Sequence, residues 1–384
     1  METRPTSRKH PKSEVNERTA SLVQLLAKIG PDIPEIGRRL GEFKESVRYR
    51  YKAKILDKGI AVQAIPDQEK LGLRRIIMIA EFAETYAKYA QSLMAAMNDL
   101  CYIVGFAKTL PGGSYIVDAA VPKELVDGYI EFLGKLKEKG LFSDLQVMMF
   151  DWYRNPPMRA EQYDFDTGRW DYDWSEAGAP DFEAAAYMPS GRQKFDRTDL
   201  LIMRELHIEA NQSLTSIAEK LGINYKKLAW HYNNHVLPRG LIKTYRLNWM
   251  GTRYDYATEK AHQRSHRYFL VELLVRNVHG AELMALRAKI NALPFLWSEA
   301  VGESYDAQIA FPIDFMNEGL QFLATVLEPF RTRAEYFVID QTNALAFTIS
   351  DRLYDESTAR WQLDEAALLQ NFDEVLLRIR EGRG

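Results

Sequence analysis

Lys44, Ser46, Arg48, Tyr49, Arg50 and Lys52 lie close together and carry the side chains that most plainly suit a binding chemistry in this 384-residue chain. Arginine and lysine neutralise phosphates or form paired hydrogen bonds to guanine, while serine and tyrosine reach phosphate or base. If the stretch is a helix with Val47, Tyr51 and Ile55 turned inward, its polar face is a contact surface for double-stranded DNA. A second stretch offers Tyr225, Lys226, Lys227, Trp230, His231 and Asn233, poorer in cations and richer in rings and amides. It reads either different bases or a protein surface.

Other chemistry is thinner. His231 and His235 stand at i and i+4, which sets two imidazoles on one helical face, but no Glu or Cys lies nearby in sequence to complete a metal set. No metal is expected there. Asp164-Phe-Asp166-Thr-Gly168 resembles a calcium loop only loosely, since its glycine comes one position early and the closing Glu is missing. His262, Arg264, His266 and Arg267 form a cationic group suited to a substrate with many carboxylates and to proton donation. Cys101 is the single cysteine, so an internal disulfide is excluded. With no nucleophile–base pair and no phosphate-cradling glycine loop, the residues argue for a chain that is not an enzyme and needs no cofactor.

The elements that must position these residues repeat. Ile36-Gly-Arg-Arg-Leu-Gly41 and Lys58-Gly-Ile60 return, at one constant offset, as Ile217-Ala-Glu-Lys-Leu-Gly222 and Arg239-Gly-Leu241. Leu22, Leu25, Leu26 and Ile29 mark a first helix, stopped by Gly30-Pro31, and a short second helix runs to Gly41 ahead of the basic one. Two short helices and a longer basic helix describe a helix-turn-helix, with the third helix suited to the major groove. Beyond it, apolar runs and turn signals give the order βαββαβ, first over 74–151 and again over 267–340. One face of each such sheet is left to find a partner, and the second copy supplies it.

The fold class expected is therefore α+β, with two winged helix-turn-helix modules, each followed by a ferredoxin-like βαββαβ domain. The boundaries are a basic tail 1–21, a first reader 22–70, a first sheet domain 71–151, and an acidic aromatic connector 152–191. A second reader 192–250, a second sheet domain 262–349 and a helical extension 350–384 follow. The connector is rich in aromatics, unlike disordered linkers, so it should be ordered with its rings docked. The net charge of −3 argues against indiscriminate coating of nucleic acid, but residues 22–66 are basic and residues 151–191 acidic. No apolar run is long enough for a membrane helix, and the polar N-terminus lacks a secretion signal, so a cytoplasmic protein is expected.

The ordered motifs Ile36…Leu40-Gly41…Ser46-Val47-Arg48-Tyr49-Arg50…Lys58-Gly59-Ile60, then Lys70-Leu-Gly72, resemble the Lrp/AsnC family of leucine-responsive, or feast/famine, regulators. The order of two domains occurring twice suggests a duplicated, archaeal-type member acting as a covalent pseudo-dimer. Gly302-Glu-Ser-Tyr305-Asp306 is similar to the family's Gly-x-Tyr-Asp loop near the effector pocket, whereas the first copy reads Gly112-Gly-Ser-Tyr-Ile116. The resemblance implies a sequence-specific transcriptional regulator, dimerisation through the sheets, and an effector such as an amino acid at Gly302, Tyr305 and Asp306. Homo-oligomers and contacts with the transcription machinery follow from the same resemblance. An adaptor protein using the aromatic second helix is one alternative. Siroheme decarboxylases of the alternative haem pathway share the architecture and are the enzymatic alternative.

Overall fold

The computed structural model describes residues 14–98, 102–174, 191–250, 252–255, 260–263 and 268–381. The chain opens with α1 (Glu14–Ile29), α2 (Ile33–Leu40), α3 (Lys44–Tyr51) and β1 (Ala61–Pro66). Asp32 caps α2 by accepting a hydrogen bond from the Glu35 amide, and Gly41 closes it at φ 67°. That left-handed turn is open to glycine without steric cost. α3 buries Val47 and Tyr51 and runs into a π-helical turn, Lys52–Leu56, that buries Ile55.

β2 (Leu73–Phe82), α4 (Glu84–Ala87), α5 (Ala90–Asn98), β3 (Ile103–Leu110), β4 (Tyr115–Pro122), α6 (Val126–Glu138) and β5 (Phe142–Arg154) follow. A small hairpin, β6 (Tyr163–Asp164) and β7 (Arg169–Trp170), comes next. The same order then returns as α7 (Arg197–Ile208), α8 (Leu214–Leu221), α9 (Tyr225–His231) and β8 (Ile242–Asn248). Ser213 caps α8, Gly222 closes it at φ 64°, and α9 passes into its own π-helical turn, Tyr232–Val236. After a hairpin of β9 (Thr252–Asp255) and β10 (Lys260–Gln263) come β11 (Tyr268–Val275), α10 (Gly280–Ala292), β12 (Leu296–Gly302), β13 (Tyr305–Pro312), α11 (Met316–Leu327) and β14 (Ala334–Ala346). The chain ends in β15 (Tyr354–Asp355), β16 (Arg360–Trp361) and α12 (Glu365–Arg380).

Two features differ from the sequence expectation. Sheets packed face to face were expected, but the strands join edge to edge in the order β11-β13-β12-β5-β2-β4-β3-β14 and close into a barrel. The seams are β5–β12 and β3–β14, so each four-stranded group satisfies the free edges of the other. Closure removes unpaired strand edges, which packing face to face would leave exposed. The barrel floor is filled by Ile77, Ile79, Ile116, Phe150, Leu274, Ala300 and Ile339. Second, β1 and β8 do not stand apart as separate wings. They pair antiparallel with each other, Gln63 opposite Arg246.

The aromatic stretch after β5 is ordered as far as Trp174; residues 175–190 lie outside the described residues. Its rings dock across the molecule: Trp170 lies 4.9 Å from Trp249 and 5.4 Å from Phe295, and Trp174 lies among Phe295, Phe311, Phe315 and Phe322. The C-terminal extension is not helical throughout, because β15 and β16 precede α12 and repeat the pattern Tyr-Asp-x4-Arg-Trp of β6 and β7. Trp361 there donates its Nε1–H to the Leu71 carbonyl, so this tail returns to the first half. No helix among the described residues is long and apolar enough to cross a membrane.

Gly302 sits where a bulge shifts the register between β12 and β5. A Cβ there would press into the backbone of Met149 and Phe150. Because the obstacle is backbone, Gly302→Ala is expected to cost about 1–3 kcal/mol of stability, read as a lower melting temperature in a thermal scan. An unchanged transition would show that the seam yields at no cost.

Candidate active-site cavity

The alternation of a β-strand puts every second side chain inside the barrel. On β2 this sends Arg75 inward at the mouth, above Ile77 and Ile79 at the floor. On β4 it sends Asp118 inward above Ile116, and on β11 Glu272 above Leu274. The barrel is thus apolar at its closed end and charged at its open end. The paired strands β1 and β8 cross over that mouth with Gln63 and Arg246, and the last turn of α7 brings in His207. Tyr102, Trp297, Phe347 and Trp361 supply aromatic walls. The cavity between them has about 1500 Å³ of free space, counting its open mouth.

Arg75 forms an ion pair with Asp118 while its guanidinium lies 4.1 Å over the Tyr153 ring. Arg246 donates to Gln63 Oε1 at 2.9 Å and lies 4.2 Å over the Trp297 ring. Burial drives the His207 imidazole down to about 3, and the charge of Arg246 adds to the shift, so this ring is neutral. Glu272 and Asp306 form a buried carboxyl pair. Burial raises both, and for Asp306 the charge of Glu272 raises it further. Hydrogen bonds from Asp306 and Gln308 pull Glu272 the other way, and the charge of Arg75 pulls both, but burial prevails and the pair retains a proton. Arg75 Nε, Asp118 Oδ1, Asn155 Oδ1, His207 Nδ1 and Arg246 Nε are buried polar atoms of cavity residues with no hydrogen-bond partner among the described residues. Buried polar groups are normally satisfied, so this concentration is a mark of a ligand site.

Sequence reasoning missed these residues because they sit in runs read as apolar strands. A signal was present: Asp118 in Ile-Val-Asp-Ala-Ala-Val and Glu272 in Leu-Val-Glu-Leu-Leu are single charges at inward-facing positions of buried strands. The cationic group proposed from sequence is not among the described side chains. Arg264, His266 and Arg267 lie outside the described residues, and the side chain of His262, on β10, is not described either.

The residues expected to contact DNA are placed as follows. Lys44, Ser46, Arg48, Tyr49 and Lys52 are exposed on α3 and its extension, and Tyr225, Lys226, Lys227, Trp230 and Asn233 are exposed along α9 and the turn after it. Part of the basic charge on the first of these helices is met within the chain. Arg50, with only 11% of its side chain exposed, grips Glu42 at 2.7 and 3.3 Å, and Arg48 pairs with Glu45 at 2.7 Å. Lys54 pairs with Asp166 of the β6–β7 hairpin, and Lys58 donates to the Asp166 carbonyl at 2.9 Å. His231 is buried against Asp199 rather than presented outward.

The three effector-loop residues are brought together but turned inward. Tyr305 is fully buried and donates to Glu299 at 3.2 Å, Asp306 faces Glu272, and Gly302 sits in the seam. Burial opposes ionisation of Glu299, but Arg287 and Arg154 outweigh it and hold the carboxyl below its ordinary value. A fixed internal carboxylate occupies this position.

No known protein family's sequence profile matches the chain, and no curated protein matches its sequence. Solved structures do match its fold. The siroheme decarboxylase NirDL is similar at 9% identity and a TM-score of 0.53, over 93% of this chain and 99% of that one. NirDL in complex with an iron-uroporphyrin III analogue gives 8% identity and a TM-score of 0.51, over 93% and 98%. The AsnC regulator of E. coli is similar over only 37% of this chain and 94% of its own, at 16% identity and a TM-score of 0.29. The sequence expectations of a sequence-specific DNA-binding regulator, and of a chain that is not an enzyme, are corrected by the first two of these: the full-length likeness in fold is to an enzyme. From end to end, the chain shares its fold with the siroheme decarboxylase.

Proposed function

We propose that this chain is a decarboxylase of acidic side chains on a siroheme-class tetrapyrrole, and that the cavity at the barrel mouth is its active site. The observation that carries the reading is the composition of that mouth: two arginines, a neutral histidine and a proton-holding carboxyl pair between aromatic walls, in a chain with the full-length fold of NirDL. Loss of CO2 from a pyrrole acetate leaves a carbanion-like carbon that must take up one proton, converting CH2–COO⁻ to CH3. Arg75 and Arg246 suit the docking of substrate carboxylates, with their unpartnered Nε–H groups as further donors. The aromatic side chains suit the faces of a flat conjugated ring. Glu272, in the pair that retains a proton, suits the proton delivery.

We also read 22–70 and 192–250 as winged helix-turn-helix modules, and 71–151 and 262–349 as βαββαβ domains of a fused pair. On this reading the modules serve as scaffold, and β1 and β8 form the roof of the site. The test is to incubate the purified protein anaerobically with siroheme, following the absorbance of the bound pigment and the mass of the product. Binding with loss of CO2 is expected; absence of both would end the proposal. Arg246→Ala should weaken pigment binding by about 10- to 100-fold, the worth of one charged hydrogen bond. Undiminished affinity would place the substrate elsewhere.

A further inference from the structure

The histidine pair of the second module has partners that its sequence neighbourhood does not show. Asp196 and Asp199, at the start of α7, meet His231 and His235 at the end of α9 and in the turn after it. One ligand atom from each of the four side chains lies within 4.8 Å of all the others. His231 Nδ1 is 2.9 Å from Asp199 Oδ1 and 3.4 Å from Asp196 Oδ2. His235 Nδ1 is 3.2 Å from Asp199 Oδ1 and 3.9 Å from Asp196 Oδ2. A tetrahedral zinc ion with bonds of about 2.0–2.2 Å separates its ligand atoms by roughly 3.3 Å, which falls inside this spread.

The helix cap holds the carboxylates in place for such a role. Asp199 Oδ2 accepts the Asp196 amide and Asp196 Oδ1 accepts the Asp199 amide, a reciprocal cap that fixes both carboxylates. Asp199 Oδ1 and Asp196 Oδ2 face the imidazoles, and Asp199 Oδ2 is also 3.1 Å from His235 Nδ1. Asp199 is fully buried, and among the described residues no arginine or lysine pairs with either carboxylate. Hydrogen bonds alone account for Asp199, but they leave Asp196 Oδ2 too far from His235 for a bond. The Trp230 ring, 4.6 Å from that of His235, shields the outer side.

We infer that Asp196, Asp199, His231 and His235 form a binding site for one zinc-class divalent transition-metal ion, clamping α7 to the end of α9. Imidazole and carboxylate ligands in this number suit zinc, with cobalt as a spectroscopic substitute. The site is separate from the cavity, although the helix it anchors carries His207 into the cavity at its far end.

The test uses the full-length protein after removal of metals by chelation, titrated with Zn²⁺ and, separately, with Co²⁺. One equivalent of zinc per chain, a raised melting temperature, and cobalt visible bands of tetrahedral intensity are expected. In His235→Gln, a change at the rim of the site, zinc affinity should fall at least about 100-fold, beyond the loss seen when only an outer partner of a ligand is removed. Asp199→Asn should abolish the cobalt bands. Absence of saturable zinc binding, or equal affinity in the parent and His235→Gln, would overturn the site, and the folding of His235→Gln is checked by circular dichroism.

Discussion

Glu272→Gln is expected to lower turnover of a bound siroheme-class substrate by about 10²- to 10⁴-fold, the usual contribution of a positioned proton donor. The substitution keeps the shape of the side chain but removes the carboxyl that shares the pair's proton. Binding should persist, because Arg75 and Arg246 are untouched, so the loss should appear in kcat and not in KM. Stability offers an independent readout. A carboxyl pair whose values are raised on folding contributes fully below the ordinary carboxyl range, and that contribution is lost as pH rises through the raised values. The parent should therefore lose stability towards alkaline pH more steeply than Glu272→Gln. Equal turnover in the two proteins would remove Glu272 from the chemistry.

Glu299→Ala should destabilise the fold by about 3–5 kcal/mol, because it strands buried guanidinium groups. Glu299 accepts from Arg287 at 3.0 and 3.1 Å, from Arg154 at 2.5 Å, from Asn291 at 3.1 Å and from Tyr305 at 3.2 Å. Arg154 belongs to β5 and Arg287 to α10, so one carboxylate ties a barrel seam to the helix outside it. Its lowered value means that its contribution is present above the ordinary carboxyl range of about 4.3 and is lost as pH falls through the folded value. Denaturant titrations at neutral and acid pH should show the gap between parent and variant narrowing as the medium becomes acid. A gap independent of pH would mean that the loss comes from packing and not from charge.

The local elements were legible because their signals are local. The first helix marked by Leu22, Leu25, Leu26 and Ile29 is seen within α1, and the second helix ends at Gly41 as the sequence puts it. Pairings between distant segments were not legible. Nothing in Gln63 or Arg246 taken singly says that they face each other, and an edge does not announce which strand will cover it. β5 runs on to Arg154 because β12 pairs with its end, whereas the sequence assigned that stretch to the connector. The matching Tyr-Asp-x4-Arg-Trp hairpins are visible in the sequence, one in the connector and the other in the tail, but only their pairing shows them to be hairpins. His231 and His235 have no ligand among their sequence neighbours, while Asp196 and Asp199 arrive from another helix.

The barrel's closing seam also bears on how the chain is made. β3 waits for β14, and β5 waits for β12, so both borders of the first sheet stay bare until the second half has left the ribosome. Segments that expose strand borders while synthesis continues invite capture by other chains. Both seams can close only once the second half is made, and the last barrel strand, β14, closes the second of them.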